Sequence, residues 1–264
     1  MLGAIIGDVV GSVYEFSNRK STDFPLFNHS SMFTDDTVMT IAVYAGIQNA
    51  HGNQEALRRC LIDSMHTYGE LYPKAGYGGR FQRWLLHKQR EPYDSYGNGS
   101  AMRVSSVAWL YSSMEEVERH AEITASVTHN HPEGVKGAQA VATAIYKART
   151  GASKQDIREF IAKRYGYDLS RTLDAIRPTY RFDETCQGSV PEAITAFLES
   201  ADFEDAIRKA VSIGGDSDTI AAIAGSIAEG FYRKIPDWIK EEALKRLDDC
   251  LRYQVSAFYS HISY

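Results

Sequence analysis

Gly3, Gly7 and Gly11 stand four apart in the apolar run that opens the chain, and on a helix that spacing makes one smooth stripe. Each glycine costs a helix roughly 1 kcal/mol against alanine, so three in register require another backbone to approach closely. The matching surface lies far downstream, where Ala221, Ala224, Gly225 and Ala228 give the segment after Thr219 an equally small face. The two segments are expected to pack as helices in the centre of the molecule.

That second segment opens on Asp216-Ser217-Asp218-Thr219, and its opening has a near-copy in Thr34-Asp35-Asp36-Thr37. In both places acids and a threonine precede a small-residue apolar helix. Asp and Thr are favoured helix caps, and acids there complement the helix dipole, so a single motif is more often structural. Capping one helix needs a single acid, however. Four aspartates, with no basic residue inside either motif, would repel one another unless a cation sat between them. A divalent metal site follows. Glu15 falls seven residues after Asp8, hence on the same helical face, where it either reaches the metal site from the helix end or stands as an exposed acid.

Helical patterns follow over 37–50, 54–68, 80–88, 101–111, 114–127 and 135–149, and, each with a Ser, Asp or Pro start signal, over 153–165, 191–199, 202–212 and 236–253. Only 179–182 resembles a strand. With no alternating runs and no composition shift to mark a linker, the chain is expected to be one all-α domain over 1–264. The polar segment 18–31 reads as a surface loop able to fold over a site. The glycine-rich loop 72–79 and the stretch Gly97-Asn98-Gly99-Ser100 each precede a helix, where backbone amides can meet an anion. Both also make plain turns, with Ser100 as an N-cap in the second. His129-Asn130-His131 has no third histidine or cysteine at ligand spacing, so substrate hydrogen bonding fits it better than zinc.

The net charge of −5 comes with scattered basic residues, leaving no electrostatic footprint for nucleic acid or an anionic membrane. Cys60, Cys186 and Cys250 are isolated, which points to a reducing compartment. The opening apolar run lacks a basic n-region and is interrupted by Asp8, unlike a signal peptide, and no stretch is long enough to span a bilayer. A cytoplasmic monomer is the expectation.

Taken together, Gly3-Ala4-Ile5-Ile6-Gly7-Asp8 with Gly11 and Glu15, Phe33-Thr34-Asp35-Asp36-Thr37, Gly97-Asn98-Gly99-Ser100-Ala101-Met102-Arg103, His129-Asn130-His131-Pro132-Glu133 and Gly214-Gly215-Asp216-Ser217-Asp218-Thr219 resemble the ADP-ribosylglycohydrolase family. That group includes the dinitrogenase reductase-activating glycohydrolase. The resemblance runs in order across nearly the whole chain. It implies an orthogonal multi-helix fold and two Mg2+ or Mn2+ ions held by Thr34, Asp35, Asp36, Asp216, Asp218 and Thr219. An all-oxygen donor set of carboxylates and hydroxyls suits those hard ions better than zinc or copper. It further implies that Asn98, Gly99, Ser100 and Met102, with His129, lie along an ADP-ribose groove, with Tyr77 and His131 as candidates at the adenine end. Glu15 is the first candidate for general acid or base, with Asp35 or Asp36 behind it. The expected reaction is hydrolysis of the bond between ADP-ribose and an acceptor, either a modified protein side chain or a small molecule. Alternatives are a two-metal phosphohydrolase on a nucleotide-like substrate, or an ADP-ribose-binding protein without turnover.

Overall fold

The computed structural model describes residues 1–262. In chain order its helices are α1 (Leu2–Gly11), α2 (Asp35–Asn49), α3 (Gln54–Leu71), α4 (Gly79–Leu86), α5 (Gly99–Met102), α6 (Val107–Leu110), α7 (Met114–Ser126) and α8 (Pro132–Arg149). There follow α9 (Lys154–Tyr165), α10 (Leu173–Ile176), α11 (Cys186–Glu199), α12 (Phe203–Val211), α13 (Ser217–Tyr232), α14 (Asp237–Leu244) and α15 (Asp249–His261). No described helix is long and apolar enough to cross a membrane.

The glycine stripe does what its spacing requires. A Cβ on Gly3 would stand 2.2 Å from the Gly225 carbonyl oxygen, one on Gly7 2.1 Å from that of Ala221, and one on Gly11 2.4 Å from the Asp218 Cα. Because ascending positions on α1 meet descending positions on α13, the pair is antiparallel. Every residue of α1 is buried, as is α13 from Ser217 to Gly230, and α8, α11 and α12 pack around α13. The α2–α3 and α7–α8 pairs extend the same helical core outward.

Several boundaries differ from the sequence pattern, each for a local reason. The expected 101–111 helix breaks into α5 and α6 because buried Arg103 turns inward, donating to the Thr124 carbonyl at 3.1 Å and the Thr128 hydroxyl at 2.8 Å. Pro191 sits inside α11, which begins earlier, at the Thr185 cap. The carbonyl this proline leaves free belongs to Gln187, an exposed residue that water can satisfy. The 236–253 pattern splits into α14 and α15 because Asp248 acts as a cap, accepting from the Leu251 amide at 2.9 Å. The expected strand 179–182 does not form. The β-type pairing described is one bridge between Gly97 and Thr185, in which the Asn98 amide donates to the Glu184 carbonyl at 2.8 Å.

Candidate metal-binding active site

The antiparallel α1–α13 contact sets the C-terminal end of α1 beside the acidic start of α13. From there Asp8, fully buried on α1, reaches the start of α2. Its carboxylate accepts from the Thr34 amide at 2.9 Å and the Thr34 hydroxyl at 2.7 Å. It also accepts from the Thr37 amide at 3.0 Å and from the Thr37 hydroxyl. A carboxylate from another helix therefore caps α2. That leaves the first-turn acids Asp35 and Asp36 free for other work.

The start of α13 is arranged in a comparable way. Asp216 occupies the cap position without making a side-chain capping bond; it accepts instead from Asn98 Nδ2 at 2.7 Å. The two glycines before it, both at φ +74°, shape the turn. Asn18 Oδ1 accepts from the Gly215 amide, and Lys20 Nζ donates to the neighbouring Tyr180 carbonyl at 3.0 Å. Thr219 closes the site by donating to Asp36 Oδ2 at 3.0 Å, which joins two motifs 183 residues apart.

Glu15 arrives by a different route from the helical face its spacing indicated. Helix α1 ends at Gly11, and a turn in which the Tyr14 amide donates to the Gly11 carbonyl at 2.8 Å folds Glu15 back over the helix end. Glu15, Asp216 and Asp218 each present a carboxylate oxygen within 4.8 Å of the others, a spacing that can hold a metal ion. Asp36 Oδ1 is buried without a partner, and a buried lone acceptor is costly unless a donor or cation meets it. The residues present fit a divalent cation.

The electrostatics agree. Burial, then Asp8 and Asp216, pushes the Asp35 carboxyl up to about 8. Burial, then Asp216 and Asp8, pushes Glu15 up to about 7. Burial raises Asp8 to about 6 in spite of its four hydrogen bonds. Asp36 and Asp218 lie well above the ordinary carboxylate range, from burial first and neighbouring carboxylates second. Burial also raises Asp216, opposed by hydrogen bonds from Asp218, Asn98 and Thr219. A cation among these groups would reverse every one of these shifts.

All of these acids except Asp8 line one cleft of about 230 Å3. Thr34, Asp35, Asp36, Asp216, Asp218, Thr219, Glu15, Asn98, Gly99, Met102 and His129 all line it. Three residues expected there do not. Ser100 is fully buried and donates to the Gly134 carbonyl at 2.7 Å. The α5 turn is too short to open as a helix mouth, since the Ala101 and Met102 amides both return to the Asn98 carbonyl. Tyr77 packs on Phe81, with ring centroids 5.6 Å apart. His131 caps α8, its Nδ1 accepting from the Glu133 amide at 3.1 Å.

Arg80, Arg103, Phe81, Tyr93 and Phe182 also line the cleft, and the sequence patterns gave none of them a role in the site. Gly78 and Gly79, at the start of α4, face open space in the cleft, where a Cβ would meet nothing within 4 Å. Arg80 donates to the Tyr93 carbonyl and lies over its ring at 5.0 Å. Burial lowers Arg103 to about 10, so it stays cationic at neutral pH. Among the described ion pairs, neither arginine meets a carboxylate.

Residues 1–260 match the sequence model of the family described as ADP-ribosylglycohydrolase. The chain belongs to the ADP-ribosylglycohydrolase family. It is thus a hydrolase of a family that acts on glycosidic bonds of ADP-ribosylated substrates. It is 27% identical to the ADP-ribosylhydrolase ARH3 of Mus musculus, over 88% of this chain and 82% of that one. It is also 27% identical to the ADP-ribosylarginine hydrolase Tri1 of Pseudomonas putida (strain GB-1), over 92% and 73% respectively. Among solved structures, an ADP-ribosylglycohydrolase-related protein complex superposes with a TM-score of 0.72 at 21% identity, covering 98% of this chain and 96% of that one. At that identity the likeness establishes the all-α fold of the family.

Proposed function

We propose that this chain, working as one cytoplasmic domain over 1–264, hydrolyses the N- or O-glycosidic bond between the distal ribose of ADP-ribose and an acceptor. The observation that carries this is the convergence of the two acidic helix starts on one point of an open cleft, joined directly by Thr219 and Asp36. Thr34, Asp35, Asp36, Asp216, Asp218 and Thr219 would hold two Mg2+ or Mn2+ ions. Such ions supply Lewis acidity toward sugar hydroxyls and a water of lowered pKa.

The chain's own residues do the rest. Asp8 fixes the direction of the Thr34 hydroxyl by taking its proton, which turns an oxygen lone pair outward. Asn98 fixes the Asp216 carboxylate from the other side of the bond, by donating its Nδ2–H to Oδ2. Glu15, whose carboxylate reaches the rim of the acid cluster beside Asp216 and Asp218, is placed to give or take a proton there. Its carboxylate also stabilises positive charge developing at the anomeric carbon. The diphosphate of the ligand lies against Arg80, Arg103 and the glycine start of α4, where positive charge is uncompensated, and not on the buried Ser100. Tyr93 and Phe81 offer aromatic faces for the base.

The test is release of free ADP-ribose from ADP-ribosyl-arginine and ADP-ribosyl-serine peptides, with Mg2+, Mn2+ or chelator, beside Asp35→Ala and Asp218→Ala. Release that requires both metal and the aspartates supports the proposal, and the preferred peptide names the linkage. Release of AMP or phosphate would replace it with phosphohydrolysis. Binding of ADP-ribose without turnover on any linkage would leave a binding protein.

A further inference from the structure

From the cleft wall inward, three side chains form a hydrogen-bonded line whose direction can be worked out. His129 Nδ1 lies 2.7 Å from Thr128 Oγ1, and Thr128 Oγ1 lies 2.8 Å from Arg103 Nη2. Thr128 and Arg103 are buried to 0% and 1% exposure, so no bulk water completes their bonding. A guanidinium can only donate, and one lone pair of the threonine oxygen is therefore taken by Arg103. The hydroxyl proton then has a single described acceptor in reach, His129 Nδ1. Were Nδ1 to carry a hydrogen instead, that hydroxyl proton would be buried with no acceptor, an arrangement that folded proteins avoid.

The other edge of the ring is open. A Cβ on Gly99 would stand 3.2 Å from His129 Nε2, and one on Gly97 3.5 Å from it. Two glycines thus leave this nitrogen uncovered beside the cleft that His129 lines, and no described residue hydrogen-bonds to it.

We propose that Arg103 and Thr128 are positioning residues that hold His129 in its Nε2–H form, so that the ring presents a neutral donor to an acceptor oxygen of the bound ADP-ribose unit. The identity of that ligand rests on the function proposed above; the fixed tautomer does not. The line also disfavours an imidazolium, whose Nδ1–H would displace the threonine proton and face a guanidinium behind it. In keeping with this, burial and then Arg103 and Arg80 hold His129 well below the usual histidine range. A neutral donor can bind a phosphate or ribose oxygen without adding charge beside the metal-binding acids.

The experiment is long-range 1H–15N correlation NMR of the histidine rings in the full chain, with the His129 signals assigned by their loss in His129→Gln. The same samples, with Thr128→Val and Thr128→Ser, are titrated with ADP-ribose by calorimetry in Mg2+. The wild type should show an unprotonated Nδ1 and a protonated Nε2. Thr128→Val should mix the two tautomers and weaken ADP-ribose binding about twofold, in proportion to the fraction of His129 that keeps Nε2–H. Thr128→Ser should restore both. A wild-type Nδ1–H would overturn the proposal without any variant, as would a folded Thr128→Val that leaves tautomer and affinity unchanged. A wild-type Nε2–H form with no ADP-ribose binding would uphold the fixed tautomer and overturn the ligand.

Discussion

Replacing Gly7 by alanine isolates the contact on which the site depends. In an open helix the change would stabilise by about 1 kcal/mol through propensity. Here the added Cβ would stand 2.1 Å from the Ala221 carbonyl oxygen, 2.2 Å from its carbon and 2.5 Å from the Ala222 nitrogen. Comfortable carbon contacts need about 3.5 Å, so α1 and α13 would have to part by more than about 1 Å. The atoms in the way are backbone inside a helix and cannot rotate aside. Overpacking a rigid core costs typically about 1–3 kcal/mol and occasionally more, and backbone obstruction belongs at the upper end. The net expectation is destabilisation of about 2 kcal/mol, or a fall in melting temperature of roughly 5 °C for a chain of this size. The same displacement would draw Asp8 away from α2 and Asp218 away from Asp36, so Mg2+ should also recover less stability than it does in the wild type. Thermal melts with and without Mg2+ measure both effects. Gly79→Ala is the control, because its Cβ would meet nothing within 4 Å; it should melt at or slightly above the wild type. A Gly7→Ala protein that melts as high as the wild type, with its Mg2+ response intact, would refute the close-packing argument.

Two further outcomes follow from the acid cluster. Asp8→Asn removes one acceptor oxygen from four donors on Thr34 and Thr37 and should weaken Mg2+ or Mn2+ binding about 10–100-fold, as second-layer changes around metals do; an unchanged metal titration would make Asp8 a packing residue only. In chelator, stability should fall as pH rises. Asp35 and Glu15 are raised to about 8 and about 7 from 3.8 and 4.5, so between those values the folded state holds more protons than the unfolded one and loses stability with increasing pH. The metal-free protein should therefore melt higher at pH 6 than at pH 8.5, and saturating Mg2+ should shrink the difference. A metal-free melting temperature that is flat or rises over that range would contradict the crowding of these carboxylates.

What the chain disclosed beforehand depended on whether a signal was local. The glycine stripe named its own partner because small faces at matching spacing can only serve close approach, and Gly3 does meet Gly225. The acid motifs were legible for a similar reason: they carry more carboxylates than a cap can use. Ser100, Tyr77 and His131 were misplaced because local chemistry leaves two directions open. A serine after two glycines faces either an anion or the protein, and here α5 is one turn long, so Ser100 turns inward to Gly134. Arg103 lay unnoticed for the opposite reason. Its importance comes from burial without a carboxylate partner, and that burial involves Thr124 of α7 and Thr128 in the loop after it, which no spacing within 97–103 reports. Glu15 reached the site although α1 stops at Gly11, so its helical spacing to Asp8 was right about the neighbourhood and wrong about the route.

The way the acids are held also says what they are held for. Asp8 is gripped by Thr34 and Thr37, Asp216 by Asn98, and Asp36 by Thr219. All these donors are neutral. Among the described ion pairs, none joins a lysine or arginine to Asp8, Glu15, Asp35, Asp36, Asp216 or Asp218. A lysine in the cluster would have stabilised the metal-free fold by compensating buried charge. Neutral donors fix geometry without compensating carboxylate charge, so the crowding of these acids is left for protons or a cation to relieve. A site built for stability alone would be expected to carry the fixed cation.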